Sequence, residues 1–316
     1  MSARGATGAN APAGEANGPA GRGERDVDED AKPPGTEPPG AKAPGAKAPG
    51  GRVPDAKLPL VRRIEALGFR AWPAANSLYD GSWLVRLTAG HPSRRLNSVN
   101  ALDRMDDREL DARISRIAGR FAAFDRAIVF RQTPLAPRAL GAWLDARGFS
   151  REGETLVMTA PVADLPLGDA REQIPFQDVG AFVEAVIAVR GGSRGLKSGL
   201  TEVLSAIRPA KGMFVISDGD EPVATALAVH DGEFAGVFEV ATAERHRRAG
   251  LGRAVTTTAL RWAAGRGAAR AWLQVEADNA PALGLYGALG FAEAYRYHYR
   301  AAPGDAPPLP QSEELI

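Results

Sequence analysis

The chain has 316 residues, 44 % of them hydrophobic and 24 % charged, with a formal net charge of +1 at pH 7. The balance of 39 basic against 38 acidic residues gives no reason to expect nucleic acid or an anionic membrane as a partner. Cysteine is absent, which excludes disulfides, thiolate zinc sites, iron–sulfur clusters and a cysteine nucleophile.

Residues 1–56 hold 13 Ala, 11 Gly and 9 Pro and no aromatic residue. So little apolar surface cannot offset chain entropy, and a disordered tail is expected. Residues 304–316 read as a second tail by the same logic. The N-terminus lacks the apolar segment of a secretory signal, and no run of about 18 apolar residues occurs anywhere. A cytoplasmic protein is the expectation.

Between the tails, hydrophobic periodicity predicts two mixed α/β lobes, over 57–165 and 166–303. The first opens with Leu60, Val61, Ile64 and Leu67 at helical spacing, followed by strands over SWLVRLTAG and RRLNSVNAL. Leu110, Ile114, Ile117, Phe121 and Phe124 form one inward stripe of a second helix. A strand at RAIVFRQT, a helix at RALGAWLDARGF and a strand at ETLVMTAPV complete the lobe. The second lobe begins with helices at DVGAFVEAVIAV and GLTEVLSAI. Three strands, GMFVIS, PVATALAVH and FAGVFEVAT, are then joined by Asp-Gly turns, a strong hairpin signal. A glycine-bearing loop with a helix, the strand ARAWLQVE, the helix APALGLYGALGF and the strand AYRYHYR follow. The stretch AIVFRQTPLAPRALGAWLDARGF parallels AWLQVEADNAPALGLYGALGF, which points to an internal duplication.

Chemistry concentrates in Phe238–Gly265. Arg247-Arg248-Ala249-Gly250-Leu251-Gly252 fits R-x-x-G-x-G at the junction of a strand and a helix, with Arg245, His246 and Arg253 adding positive charge. Glycines admit close approach of backbone, and a helix N-terminus offers unpaired N–H groups to a pyrophosphate. A P-loop needs Gly-Lys-Ser/Thr where Gly252-Arg253-Ala254 stands, and a dinucleotide fold needs a parallel βαβ unit. The four histidines show no metal-ligand spacing, so no metal is expected.

With the strand end VAT, the loop RHRRAGLGRA, the strand end LQVEADNAPA and the helix LGLYGALGF, the sequence from Asp169 to Ala301 resembles the GNAT superfamily of CoA-dependent N-acetyltransferases. The resemblance implies a GNAT-like fold in tandem, with a degenerate first lobe that lacks the cofactor loop. It also implies acetyl-CoA as donor and a small-molecule or peptide amine as acceptor. Val240 and Thr242 would contact the pantetheine arm, and Arg247, Arg248, Ala249, Gly250, Leu251, Gly252 and Arg253 the phosphates. Asn279 matches a frequent polar contact to the cofactor, and Tyr286 the frequent general acid, although a tyrosine packed on the core is the plain alternative. Amine attack also needs a base. Glu239 stands beside Val240, but strand alternation opposes it to both neighbours; Glu276 and Asp278 are further candidates. Trp72, Trp83 and the RRLNSVN segment are candidates to line an acceptor pocket between lobes. Tyr295, Tyr297 and Tyr299 alternate on one strand face, suited to covering a helix or to caging an amine. Two other readings of the chain are a CoA-sensing or interaction module without turnover, and an acyltransferase with a longer acyl donor.

Overall fold

The computed structural model describes residues 54–304 apart from Asp169 and Ser193. The tails expected over 1–56 and 304–316 lie almost wholly outside the described residues.

The first lobe contains α1 (Leu58–Ala71), β1 (Asn76–Asp80), β2 (Trp83–Leu87), β3 (Ser98–Ala101), α2 (Leu110–Ala122), β4 (Val129–Gln132), α3 (Arg138–Ala146) and β5 (Glu152–Pro161). The second contains α4 (Val179–Arg190), α5 (Lys197–Ala206), β6 (Ala210–Asp218), β7 (Glu221–Asp231), β8 (Phe234–Thr242), α6 (Leu251–Ala264), β9 (Arg270–Glu276), α7 (Ala280–Ala288) and β10 (Ala292–Ala301). The helices form where the stripes place them. Leu58, Val61, Ile64 and Leu67 are the buried face of α1, and Ile114, Ile117 and Phe121 that of α2. The Asp178 carboxylate caps α4 by accepting from the N–H groups of Gly180 and Ala181 at 2.7 and 3.1 Å. Both Asp-Gly turns close antiparallel hairpins, β6–β7 and β7–β8. The sequence pattern gives no strand over 76–80, because β1 is an exposed edge strand without an apolar face.

All ten strands join one sheet in the order β1-β2-β3-β4-β10-β5-β9-β8-β7-β6. Read from either end the order is the same: two antiparallel hairpin pairings, one parallel pairing (β3 with β4, β8 with β9), then two antiparallel neighbours. The last strand of each lobe therefore lies against the other lobe. β5 pairs with β9 from Thr155↔Glu276 to Pro161↔Arg270, and β10 pairs with β4 from His298↔Gln132 to Ala301↔Val129. The lobes are consecutive in the chain and interleaved in the sheet, a tandem of two related α/β halves.

One core cluster packs α1, α4 and α5 together, with Ile64, Leu67, Phe182, Val186, Leu200 and Val203 among its members. A second packs α6 and α7 on β6–β9, and a third packs α2 and α3 on β2–β4. Within the first cluster lies a buried polar network. Arg131 of β4 pairs with Glu65 of α1 through both nitrogens of its fork, and the Tyr295 hydroxyl of β10 donates to Glu65 Oε1 at 2.6 Å. The Arg131 guanidinium also lies 3.7 Å from the centre of the Tyr297 ring. Of the alternating tyrosines of β10, Tyr295 thus meets α1 at Glu65, Tyr297 donates to Gln274 of β9 at 3.0 Å, and all three are buried in this cluster.

Candidate active site

The site begins with an irregularity in β8. Leu227 pairs with Phe238 but Thr225 pairs with Ala241, so β8 carries one residue more than β7 between these points. Glu239 sits in this bulge in the left-handed conformation, at φ 49°, and its carbonyl accepts from Thr225 Oγ1 at 2.9 Å. A bulge re-aims a side chain that strict alternation would send elsewhere. Here it turns Glu239 into a pocket, beside its neighbours Phe238 and Val240. The carboxylate is met there by Arg190 Nη2 from the end of α4, at 2.9 Å.

β8 and β9 are paired only from Phe234↔Arg270 to Val237↔Leu273, although β8 runs on to Thr242 and β9 to Glu276. Past Val237 the strands part, which leaves the β9-facing edge of the segment holding Val240 and Thr242 open. The loop Arg247–Gly250 follows. Arg248 and Gly250 adopt φ 65° and 78°, and Gly250 caps α6 without a side chain, so the first N–H groups of the helix stay uncapped. Arg245 is paired with Glu221, and His246 lies 3.6 Å from Asp218. Arg247, Arg248 and Arg253 are exposed and have no ionic partner among the described residues. Ala249 is exposed as well, while Leu251 and Gly252 are half-buried.

Tyr286 of α7 reaches the same pocket. It is 5 % exposed and packs edge-on against Phe291, with ring centres 6.0 Å apart. Burial pushes its phenol above the usual tyrosine range, so it stays protonated at neutral pH. Asn279 serves the helix that follows it, since its Oδ1 accepts from the Ala282 N–H at 3.0 Å and caps α7. Glu276 lies outside the pocket lining, its carboxyl pushed up by burial and by Asp278; Asp278 itself is exposed.

The first lobe adds to the lining Trp72 after α1, then His91, Ser93 and Arg95 from the loop between β2 and β3. Trp72 stacks on Phe238 with ring centres 5.8 Å apart, joining the end of α1 to the bulge. Trp83 is not in the pocket. It is buried in the first-lobe core, its indole N–H donating to Asp106 O at 3.0 Å. Neither His91 nor Arg190 stands out in the sequence: His91 has no metal-ligand spacing to mark it, and Arg190 merely ends a largely apolar helix.

His91 Nδ1 accepts from the Ser93 N–H at 3.2 Å, which puts the proton of the neutral ring on Nε2. Burial first, then Arg95, Arg190 and Arg126, hold the imidazole down to about 4, against 6.5 for the free side chain. Between those values the unfolded chain binds more protons than the fold. Stability is therefore full above about 6.5 and falls as the pH drops toward 4. His298, held to about 4 chiefly by burial, adds to the same slope. Urea midpoints measured from pH 7 to 4 should fall less steeply for His91→Gln than for the native chain; an identical slope would show that His91 titrates normally.

The matching loop of the first lobe, 102–109, has no glycine and three aspartates. Burial alone would raise the Asp106 carboxyl. The N–H and hydroxyl of Ser82, at 2.9 and 2.8 Å, and Arg113, at 3.0 Å, outweigh it and bring the group to about 2. An internal carboxylate in this loop repels phosphate.

A bulged strand, a parting parallel neighbour and an uncapped, arginine-rich helix N-terminus thus stand together in the second lobe, and the similarities of this lobe are to acyltransferases. Residues 193–291 match the family model of the acetyltransferase (GNAT) family, and the chain carries a GNAT domain with a second lobe before it. The chain is 27 % identical over 249 residues to the uncharacterized N-acetyltransferase YobR of Bacillus subtilis, a match covering 76 % of this chain and 98 % of that one. A 58-residue stretch is 43 % identical to the ribosomal protein bS18 alanine N-acetyltransferase of Escherichia coli K12, covering 18 % and 39 % of the two chains. The fold is shared with a GCN5-related N-acetyltransferase from Kribbella flavida, at TM-score 0.59 and 22 % identity over 78 % of this chain and 95 % of that one. It is shared too with a tandem GNAT protein from the clavulanic acid biosynthesis pathway, at TM-score 0.51 and 13 % identity over 77 % and 89 %. Among the described residues no helix is long and apolar enough to cross a membrane, and no group of three or more metal-ligating side chains occurs.

Proposed function

We propose that the chain transfers the acetyl group of acetyl-CoA to an amine by direct attack on the thioester, and that the second lobe alone binds the donor. The observation that carries this reading is the N-terminus of α6: uncapped, flanked by Arg247, Arg248 and Arg253, which have no ionic partner among the described residues, and opening beside the strand edge freed where β8 leaves β9. The helix N–H groups and these guanidiniums suit the pyrophosphate. The free edge at Val240 and Thr242 suits the amide-bearing arm, and a backbone N–H of the bulge suits the carbonyl oxygen on which charge develops. Glu239, held by Arg190, is assigned to take the proton of the attacking amine, directly or through water. Tyr286 is assigned to the departing sulfur. Asn279 keeps its amide nitrogen for the donor while its oxygen caps α7.

The test is calorimetry with acetyl-CoA beside an assay of thiol release over a panel of amines. Binding should show one site per chain. Replacing both Arg247 and Arg253 with Glu should weaken it by about tenfold or more, since a hydrogen bond to a charged group is worth ~1.5–3 kcal/mol. Both side chains are exposed, so the melt should move little. Undiminished affinity in the double variant would remove the loop from the donor site. Two sites per chain would show that the first lobe also binds.

A further inference from the structure

We propose that the acceptor amine carries a carboxylate, and that Arg95, contributed by the first lobe, binds it in the pocket that Tyr286 also lines. The inference rests on the acetyl-transfer reading and specifies its substrate class. Two guanidiniums line the pocket. Arg190 is engaged by Glu239. Arg95 is not engaged: its Nε is buried without a hydrogen-bond partner, and among the described residues it makes no ion pair. Arg95 is half-buried, with its Nε kept from water and unpaired, and a planar carboxylate is the best-fitting complement of a guanidinium.

The loop that carries Arg95 is built to hold it still. Arg86, itself buried, donates to the carbonyls of Arg95 and Trp72, and so ties this loop to the end of α1. Asn97 accepts from the Thr88 N–H at 2.8 Å and donates to the carbonyls of His91 and Ser93 at 2.8 and 2.9 Å. Arg126 donates to the carbonyls of Thr88, Ala89 and His91. From the other lobe, Gly199 of α5 lies so close that a Cβ there would stand 2.0 Å from the Gly90 carbonyl oxygen. Such bracing fixes the backbone from which the Arg95 side chain extends toward a ligand. The field in the pocket has the same sign. Arg95, Arg190 and Arg126 all disfavour a proton on His91, and among the described residues Glu239 is the only carboxylate in the lining. Glu276 feels Arg95 from outside the pocket, with Asp278 opposing. A diamine would bring a second cation into this field, whereas an amino acid brings the missing anion.

The experiment compares three sets of acceptors with the full chain and acetyl-CoA: glycine, β-alanine and 4-aminobutanoate; their methyl esters; and 1,4-diaminobutane with ethanolamine. The carboxylates should exceed their esters and the diamine by about tenfold or more in kcat/KM. Arg95→Gln should narrow the carboxylate-to-ester ratio to within about twofold, chiefly through KM, and Arg95→Lys should restore part of it. A preference for esters or the diamine, or an unaltered ratio in folded Arg95→Gln, overturns the inference and leaves acetyl transfer standing. Should no amine release thiol, the acetyl-transfer reading fails. The carboxylates are then titrated calorimetrically in the presence of CoA, and absence of saturable binding by any of them overturns the Arg95 site on its own terms.

Discussion

Tyr286→Phe should lower kcat for acetyl transfer by about 10² to 10³ while the KM for acetyl-CoA changes little. Amine attack gives an intermediate whose collapse is limited by how well the leaving sulfur sheds its charge. The phenol lines the pocket and has no hydrogen-bond partner among the described residues, so it is free to donate. An ordinary phenol near ~10 facing a thiolate whose conjugate acid lies near ~8.5 is a fair proton donor. Burial alters that comparison by pushing the Tyr286 phenol upward, which makes it a weaker acid. Full proton transfer is then uphill, and what Tyr286 supplies is a hydrogen bond to sulfur as negative charge appears. Removing one such donor typically costs about 10² to 10³, the lower part of the range for general acid catalysis. The variant keeps the ring that packs on Phe291, and the lost hydroxyl leaves no partner behind, so the melt should stay near that of the native chain. Steady-state kinetics beside a thermal melt decides the matter. A folded Tyr286→Phe within about a factor of two of the native kcat would make Tyr286 a packing residue.

Local features were legible in the sequence because their signals are local. Asp218-Gly219 and Asp231-Gly232 mark their hairpins, the stripes of α1 and α2 their buried faces, and Gly250-Leu251-Gly252 the entrance of α6. The related halves were visible too, in the shared Ala-Leu-Gly and Gly-Phe landmarks of α3 and α7. What escaped depends on distant partners. Nothing in ETLVMTAPV or AYRYHYR says that each strand lies against the opposite lobe, because pairing choice is set by the sheet as a whole. The bulge at Glu239 exists only relative to the register of β7, so alternation counted along β8 alone set Glu239 apart from the side of Phe238 and Val240. Arg95 and Arg190 lie almost a hundred residues apart and meet only when the two lobes close on one pocket.

Glu65→Leu should destabilise the chain by about 3 to 5 kcal/mol, a large part of the ~5–15 kcal/mol that holds an ordinary domain. Glu65 and Arg131 are 3 % and 4 % exposed and pair through both arms of the guanidinium. Burial by itself would lower the basicity of Arg131, yet Glu65 more than compensates and holds its pKa well above the usual arginine range. Leucine leaves that cation without a counter-ion beneath the sheet and deprives the Tyr295 hydroxyl of its acceptor. Converting Arg131 to Met in the same chain removes the stranded charge, so Glu65→Leu with Arg131→Met should recover most of the loss. Urea unfolding of both single variants and the double variant gives the coupling as a mutant cycle. The three elements concerned, α1, β4 and β10, come from both lobes, so the loss should appear as one cooperative transition moved to lower urea. Two separated transitions would mean that the interleaved sheet does not bind the lobes into a folding unit. A loss below about 1 kcal/mol in Glu65→Leu would mean that water reaches Arg131 and the pair is not buried in solution. The consequence reaches the site as well. α1 delivers Trp72 to the pocket wall, and Arg86 fastens the Trp72 carbonyl to that of Arg95. A slackened α1 should therefore raise the acceptor KM before it alters acetyl-CoA affinity, which depends on α6 at the other side of β8.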